Sequence, residues 1–347
     1  MPVRVGLLLG DPCGIGPELV AKLLASPALD PAVATVVIGE PRILARAQAI
    51  AGSAREILEI ARLDELDGPG SALLPGPPID PEDAPLGTVS RVAGTAVLDT
   101  FRMALGLADA GELDGICFAP CNKQAMHEGG LELEDELRFF VQVLGFEGHV
   151  GEVNATDRLA TTRVTSHVPL RAVADLITED GVLQAIRLAE RTLRAAGTPR
   201  PRIAVAGLNP HAGDGGIFGR EEIEVIAPAV ERAKAEQIAA SGPYPSDTVF
   251  LRARDGAFDA VVTMYHDQGQ IAMKLLGFER GVTIHAGLPI PITTPAHGSA
   301  FDIAGSGRAR VDGLSQAYRT ACAMAKAARG GEGTPKGSHH RSAAHQP

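Results

Sequence analysis

The chain has no tryptophan, and aromatic residues make up only 4% of its 347 positions. That scarcity by itself excludes no function. Its four cysteines (Cys13, Cys117, Cys121 and Cys322) form no paired framework. The three-residue gap between Cys117 and Cys121 is poor metal spacing, so a reduced, cytoplasmic protein is the simplest reading. No apolar run approaches the roughly 20 residues of a membrane span. Met1 to Gly10 leads straight into Asp11-Pro12 and reads as a first strand rather than a signal peptide. The formal charge is −10 with no basic block in the globular part, which excludes nucleic acid as a partner. There is no internal repeat. Gly-x-Gly-x-x-Gly follows no strand; Gly213 to Gly219 comes closest and misses the last glycine by one position. A nicotinamide cofactor, if bound, is therefore held outside a Rossmann fold.

Apolar runs alternate with helical spacing along most of the chain. Strands are expected at Val3–Leu9, Ala34–Ile38, Gly115–Phe118, Ile203–Ala206 and Ala260–Met264. Val182, Ile186, Ala189 and Leu193 recur at helical spacing, and Gly197 with Pro199 ends that helix. The alternation predicts an α/β protein with a mostly parallel, helix-covered sheet. Asp67 to Val89 is rich in Pro and Gly and reads as a long surface loop or an irregular edge element. From Gly330 onward, residues 330–347, the composition is that of a disordered tail, and His339 and His340 there are not counted as a site.

Three histidines close apolar or β-like runs: His167 after Ala160, His211 after Ile203, and His266 after Phe258. Each alone is more often a hydrogen-bonded structural residue. Together they suggest a divalent metal with open coordination positions, although no His-Glu-x-x-His spacing supports it and the ligands would converge only through the fold. The run from Tyr265 through His266, Asp267, Gln268 and Gly269 to Lys274 delivers polar groups at a strand's C-terminal edge, where α/β sheets keep ligands. Gly10-Asp-Pro-Cys-Gly-Ile-Gly-Pro-Glu18 joins the first strand to a helix starting near Pro17. His297-Gly298-Ser299-Ala-Phe-Asp302-Ile303-Ala-Gly305-Ser-Gly307 is a second glycine-rich segment, whose small residues let backbone crowd a ligand and whose Asp302 can accept from ribose hydroxyls.

That last segment resembles the adenosine-binding loop of the isocitrate and isopropylmalate dehydrogenase superfamily, which binds NAD without a Rossmann fold. With the Gly10–Glu18 motif, Pro120-Cys-Asn-Lys123, Gly207–Gly213, Phe218–Glu222, Gly242–Asp247 and Tyr265–Gly269 in the same order, the chain resembles the 4-hydroxythreonine-4-phosphate dehydrogenase family of vitamin B6 synthesis to about residue 328. The resemblance implies a two-lobed fold with a cleft, one lobe from 1–125 plus 295–329 and the other from 126–294. It implies NAD-dependent, metal-assisted oxidation of a secondary alcohol beside a carboxylate, with decarboxylation able to follow. The implied assembly is a homodimer with active sites near the interface. The family's metal-ligating histidines fall on His167, His211 and His266, its substrate lysine on Lys274, and its adenosine loop on His297–Gly305. The metal is zinc, magnesium, manganese or cobalt. Asp247 and Asp267 are expected to orient ligand imidazoles, while Asn122 and Lys123 belong to the substrate turn.

The family's phosphate-binding His-Thr pair falls on Glu136 and Leu137, its Asn on Thr283 and its Arg on Ile292. Losing the Arg removes a bidentate contact, and Glu136 would repel a phosphate. At roughly 1.5–3 kcal/mol per contact, the losses reduce phosphate affinity by about two orders of magnitude unless Arg138, Lys123 or Arg280 replaces them. The expected substrate is therefore an unphosphorylated hydroxy acid, as in the dihydrodiol carboxylate branch of the family, with 4-hydroxythreonine 4-phosphate as the runner-up. His285, beside Thr283, is a candidate for shaping that pocket. A phosphate acyltransferase-like transferase shares the two-lobed architecture and is the alternative of another class. A non-catalytic binding relative is a third.

Overall fold

The structure is a computed structural model and describes residues 2–53, 55–277 and 280–330. Of the tail expected at 330–347, Gly330 instead ends the helix Asp312–Gly330, and residues 331–347, with His339 and His340, lie outside the described residues. Among the described residues the strands are β1 (Val3–Leu8), β2 (Val33–Gly39), β3 (Leu58–Glu59), β4 (Gly70–Pro75), β5 (Gly115–Phe118), β6 (Gly151–Ala155), β7 (Ala160–Arg163), β8 (Ile203–Ala206), β9 (Ala240–Tyr244), β10 (Ala260–Thr263), β11 (Val282–Ala286) and β12 (Ile292–Pro295). They form one sheet in the order β3-β4-β2-β1-β5-β12-β11-β6-β7-β10-β8-β9.

The strands expected from apolar runs are present within a residue at each end. β2, β5, β8 and β10 are buried along their whole length, as strands covered on both faces by helices must be. The parallel pairing holds within each outer block but not at the centre. There β11 runs antiparallel to both β12 and β6, and β6 antiparallel to β7. The reason is local: β6 and β7 are joined by residues 156–159, and β11 and β12 by residues 287–291. Links that short can only reverse the chain, since a parallel crossover needs a dozen residues or more. The two parallel blocks thus run in opposite senses, with the antiparallel strands between them.

The expectation of an irregular segment from Asp67 to Val89 is corrected in part. It contains β4, which lies between β3 and β2 with Ala72, Leu73 and Leu74 buried. Gly68 and Gly70, both in the left-handed half of conformational space, and Pro75 bracket that short apolar run, so the turn-forming residues masked it.

Three helices matter for the site. Gly16–Leu24 starts with Pro17 in its first turn, where the missing N–H costs nothing. Glu136–Leu144 is capped by Asp135, whose Oδ1 accepts from the Arg138 amide at 2.9 Å. His266–Gly277 begins directly after β10. Phe101, Phe118, Phe139 and Phe140 pack ring to ring beneath the central strands, with Phe101 and Phe118 centroids 5.0 Å apart and edge-on.

Candidate active site

A cavity of about 370 Å³ lies over the central strands β5, β12, β11 and β6. His167, four residues past β7, and His266, the first residue of its helix, meet on its rim with ring centroids 5.7 Å apart. On the same helix His266, Gln270 and Lys274 recur every four residues, and all three line the cavity, because that spacing stacks side chains on one face. The partners of the two imidazoles are acidic. Glu134 Oε1 is 2.6 Å from His167 Nδ1 and Asp135 Oδ2 is 3.8 Å away. Asp267 Oδ1 lies 2.7 Å from His266 Nδ1, which leaves the Nε2 atom of His266 for a ligand.

Ligating atoms of Glu134, Asp135 and His167 fall within 4.8 Å of one another. Imidazole nitrogens beside carboxylate oxygens fit a divalent cation of the zinc, manganese or cobalt type. His211 stands elsewhere. It opens a run of left-handed residues, His211, Ala212, Gly213, Asp214 and Gly215, and its ring lies 6.2 Å from that of Phe218. His211, Ala212 and Asp214 hold positive φ without being glycine, which is strained. Glu222 pins the turn: its Oε1 accepts from the Leu208 and Asn209 amides, both at 2.7 Å, and its Oε2 from Asn209 Nδ2 at 2.9 Å.

The glycine-rich loop runs from the cavity to the N-terminal motif. His297 and Gly298 line the cavity, and burial lowers the His297 pKa. The Ser299 carbonyl accepts from the Ile15 amide at 3.0 Å. A Cβ on Gly14 would come within 2.8 Å of Ser299 Cβ, so that position must be glycine. Asp302 and Ile303 form a single turn with Phe301, and Asp302 is exposed. Gly305 adopts φ +80°, which favours glycine. Open space lies where a Cβ of Gly298 would stand, and with an exposed Asp302 nearby in sequence the loop fits the adenosine half of a dinucleotide.

Lys123, Glu136 and Thr283 line the cavity, Lys123 Nζ lying 4.0 Å from Glu136 Oε2. Asn122 caps the short helix Lys123–Glu128, accepting from the Ala125 amide at 2.9 Å. Ile292, at 0% exposure, is packed in the core instead of lining the cavity. Asp247 is exposed in the first turn of its helix. Sequence reasoning missed Glu134 and Asp135, whose signal was the acidic run from Glu132 to Glu136. It also missed Glu152, Asn154 and Arg163, polar residues on short strands with no motif around them.

Fold and cavity define an α/β enzyme whose polar site gathers histidines, carboxylates and a lysine at the centre of the sheet. The family model described as "Pyridoxal phosphate biosynthetic protein PdxA" matches residues 32–321. A Pseudomonas aeruginosa protein provisionally named 4-hydroxythreonine-4-phosphate dehydrogenase 2 is 49% identical over 327 residues, 93% of this chain and 97% of its own. The D-threonate 4-phosphate dehydrogenase of Pectobacterium atrosepticum is 39% identical over 329 residues, 92% of this chain and 99% of its own. The crystal structure of 4-hydroxythreonine-4-phosphate dehydrogenase from Klebsiella pneumoniae superposes with a TM-score of 0.81 at 39% identity, covering 94% of this chain and 98% of that one.

The chain belongs to the PdxA family. It is an NAD-dependent oxidoreductase acting on CH–OH groups, which decides against the transferase alternative.

Proposed function

We propose that this enzyme oxidises the secondary alcohol of an unphosphorylated 3-hydroxy acid, with a divalent cation at His167 and His266. The single observation that carries the reading is the meeting of these two imidazoles, each backed by a carboxylate, in a cavity that Lys274 and His297 also line. A divalent cation held there supplies a positive charge that lowers the pKa of a neighbouring alcohol, and NAD⁺ supplies the hydride acceptor. Glu134 and Asp267 orient the two rings through Nδ1. Lys274 holds the substrate carboxylate, or returns a proton to the carbon that loses CO₂ when decarboxylation follows. His297, Gly298, Ser299, Asp302, Ile303 and Gly305 hold the adenosine half of the cofactor.

The absence of phosphate from the substrate rests on the charges in the cavity wall. Its carboxylates are Glu136 and Glu152, and among the described residues no arginine lines it. A phosphate would meet those two carboxylates and, besides Lys123 and Lys274, would find no bidentate arginine among the described lining residues. His211 is proposed as the third metal ligand, delivered by a homodimer whose active sites lie near the interface. Ile217, 76% exposed, and the exposed Phe218 and Ile223 beside it support such an interface. The lobes proposed are 1–125 with 295–329, and 126–294. Among the described residues no helix is long and apolar enough to cross a membrane. The four free thiols suit the reducing cytoplasm.

The test is NADH formation by dialysed protein reloaded with single divalent metals, offered unphosphorylated threonate. Turnover that disappears with chelator and with His266→Ala is expected. Metal-independent turnover would overturn the reading.

A further inference from the structure

The floor of the cavity holds polar atoms that nothing in the protein satisfies. β11 and β6 pair so that Thr283 lies opposite Asn154 and His285 opposite Glu152. Side chains at alternate positions share a face, and these four residues all line the cavity. Asn154 is 8% exposed and His285 3%. Asn154 Oδ1 accepts from the Thr283 hydroxyl at 3.1 Å, but its Nδ2 has no partner, and neither ring nitrogen of His285 has one. Buried donors and acceptors are almost always paired, so the unpaired atoms of Asn154 and His285 on one wall mark a place where a ligand supplies partners.

The character of that ligand follows from the charge around it. His285 lies flat against Phe118, centroids 5.6 Å apart at 24°, and meets Phe140 edge-on at 5.2 Å. Burial in that aromatic slot pushes the imidazole pKa down, so the ring is neutral and offers one donor and one acceptor. Glu152 is paired with Arg163, and Glu136 lies 4.0 Å from Lys123. No unpaired positive charge is left on this face among the residues just named. A neutral imidazole beside an amide NH₂ matches a group that accepts and donates at once, which is a hydroxyl. An anionic group would find no free cation among Asn154, Glu152, Thr283 and His285. Among the described residues the cavity's lysines are Lys123, 4.0 Å from Glu136, and Lys274, which is given to the substrate carboxylate. A hydrocarbon would leave all three atoms unpaired.

We propose that Asn154 and His285 form a subsite for an uncharged hydroxyl at the end of the substrate away from its carboxylate, so that the preferred substrates are polyhydroxy acids with a free terminal hydroxyl. This rests on the unphosphorylated-acid reading above. Asn154 Nδ2 donates to the hydroxyl oxygen, and the hydroxyl proton is accepted by the unprotonated nitrogen of His285. Both are specificity residues and take no part in the hydride or proton transfers.

The experiment compares threonate with 2,3-dihydroxybutanoate, which keeps the oxidised alcohol and lacks only the terminal hydroxyl, and with 4-phosphothreonate. For the metal-loaded wild type, kcat/KM should fall about 100-fold or more on loss of that hydroxyl. Asn154→Leu and His285→Phe should reduce the difference to a few-fold while metal content stays unchanged. Should either variant fail to fold, wild-type protein labelled with ¹⁵N-histidine decides the matter. His285 ring resonances should shift with threonate and stay in place with 2,3-dihydroxybutanoate. Equal turnover of the two acids with the phosphorylated one refused, or unmoved His285 resonances, overturns the subsite alone. A preference for 4-phosphothreonate overturns the underlying reading and the subsite with it.

Discussion

Glu18 and Lys22, one turn apart on the Gly16–Leu24 helix, hold the end of the glycine-rich loop as a clasp. Glu18 Oε1 accepts from Lys22 Nζ at 2.7 Å and from the Ala309 amide at 2.9 Å, while Lys22 Nζ also donates to the carbonyls of Gly307 at 2.8 Å and Ala309 at 2.7 Å. The last residue of the Gly10–Glu18 motif is thus tied to Ala309, two residues past the His297–Gly307 loop and almost 300 residues away in sequence.

Breaking this clasp should loosen the loop. Lys22→Met leaves Glu18, which is 2% exposed, buried without its cation. A cost of about 3 kcal/mol in stability is expected, with a weaker NAD⁺ dissociation constant and little change in metal affinity. Calorimetry of NAD⁺ binding checks it, and unchanged NAD⁺ affinity would count against the loop assignment.

The carboxylate behind His266 should tune the metal. Asp267→Asn is expected to lower divalent-metal affinity about 10–100-fold, and His266→Ala to lower it further. Titration of metal-free protein with Zn²⁺ or Co²⁺ measures both. Wild-type affinity in Asp267→Asn would show that its contact with Nδ1 plays no such role.

Asp11 makes stability depend on pH. Burial is the largest influence on it, and although the Cys13 and Asn122 amides oppose that effect, the pKa rises from 3.8 to about 6. Because the folded pKa lies above the unfolded one, this stabilising contribution is complete below about pH 4 and is lost as pH rises through 6. Two pKa units correspond to about 3 kcal/mol. Asp11→Asn should therefore raise stability at pH 7–8 by up to about that amount and leave it nearly unchanged near pH 4. Denaturant melts at both pH values read this directly, and equal differences at the two would contradict it.

Gly94 marks a helix contact that tolerates no side chain. A Cβ there would stand 1.7 Å from the Ala125 carbonyl oxygen, at the crossing of Arg91–Asp109 with Lys123–Glu128. Gly94→Ala should cost about 3 kcal/mol or more and disturb the Asn122–Lys123 turn beside the cavity. A melting temperature equal to wild type would refute this.

Where the sequence was legible, local chemistry carried the information. β2, β8 and β10 announce themselves as apolar runs between turn residues, and the Gly197–Pro199 stop ends the helix Glu179–Ala195 close to where it was expected. β6, β11 and β12 were missed because Glu152, Asn154, Thr283, Thr293 and Thr294 break their apolar runs; all of these but Thr293 line the cavity. His167 and His266 could be singled out as candidates, since each follows a strand-like run. The carboxylate beside His266, Asp267, was legible next to it in the sequence, whereas Glu134 was not, since it reaches His167 only through the fold.

The most direct measurement is the ratio of kcat/KM for threonate to that for 4-phosphothreonate, with metal-loaded enzyme and saturating NAD⁺. A cavity lined by Glu136 and Glu152 and by no arginine among the described residues predicts a ratio well above one, on the order of 100 given the phosphate contacts it lacks. A ratio well below one would mean that Lys123 or another cation has rebuilt a phosphate site, and would contradict the account.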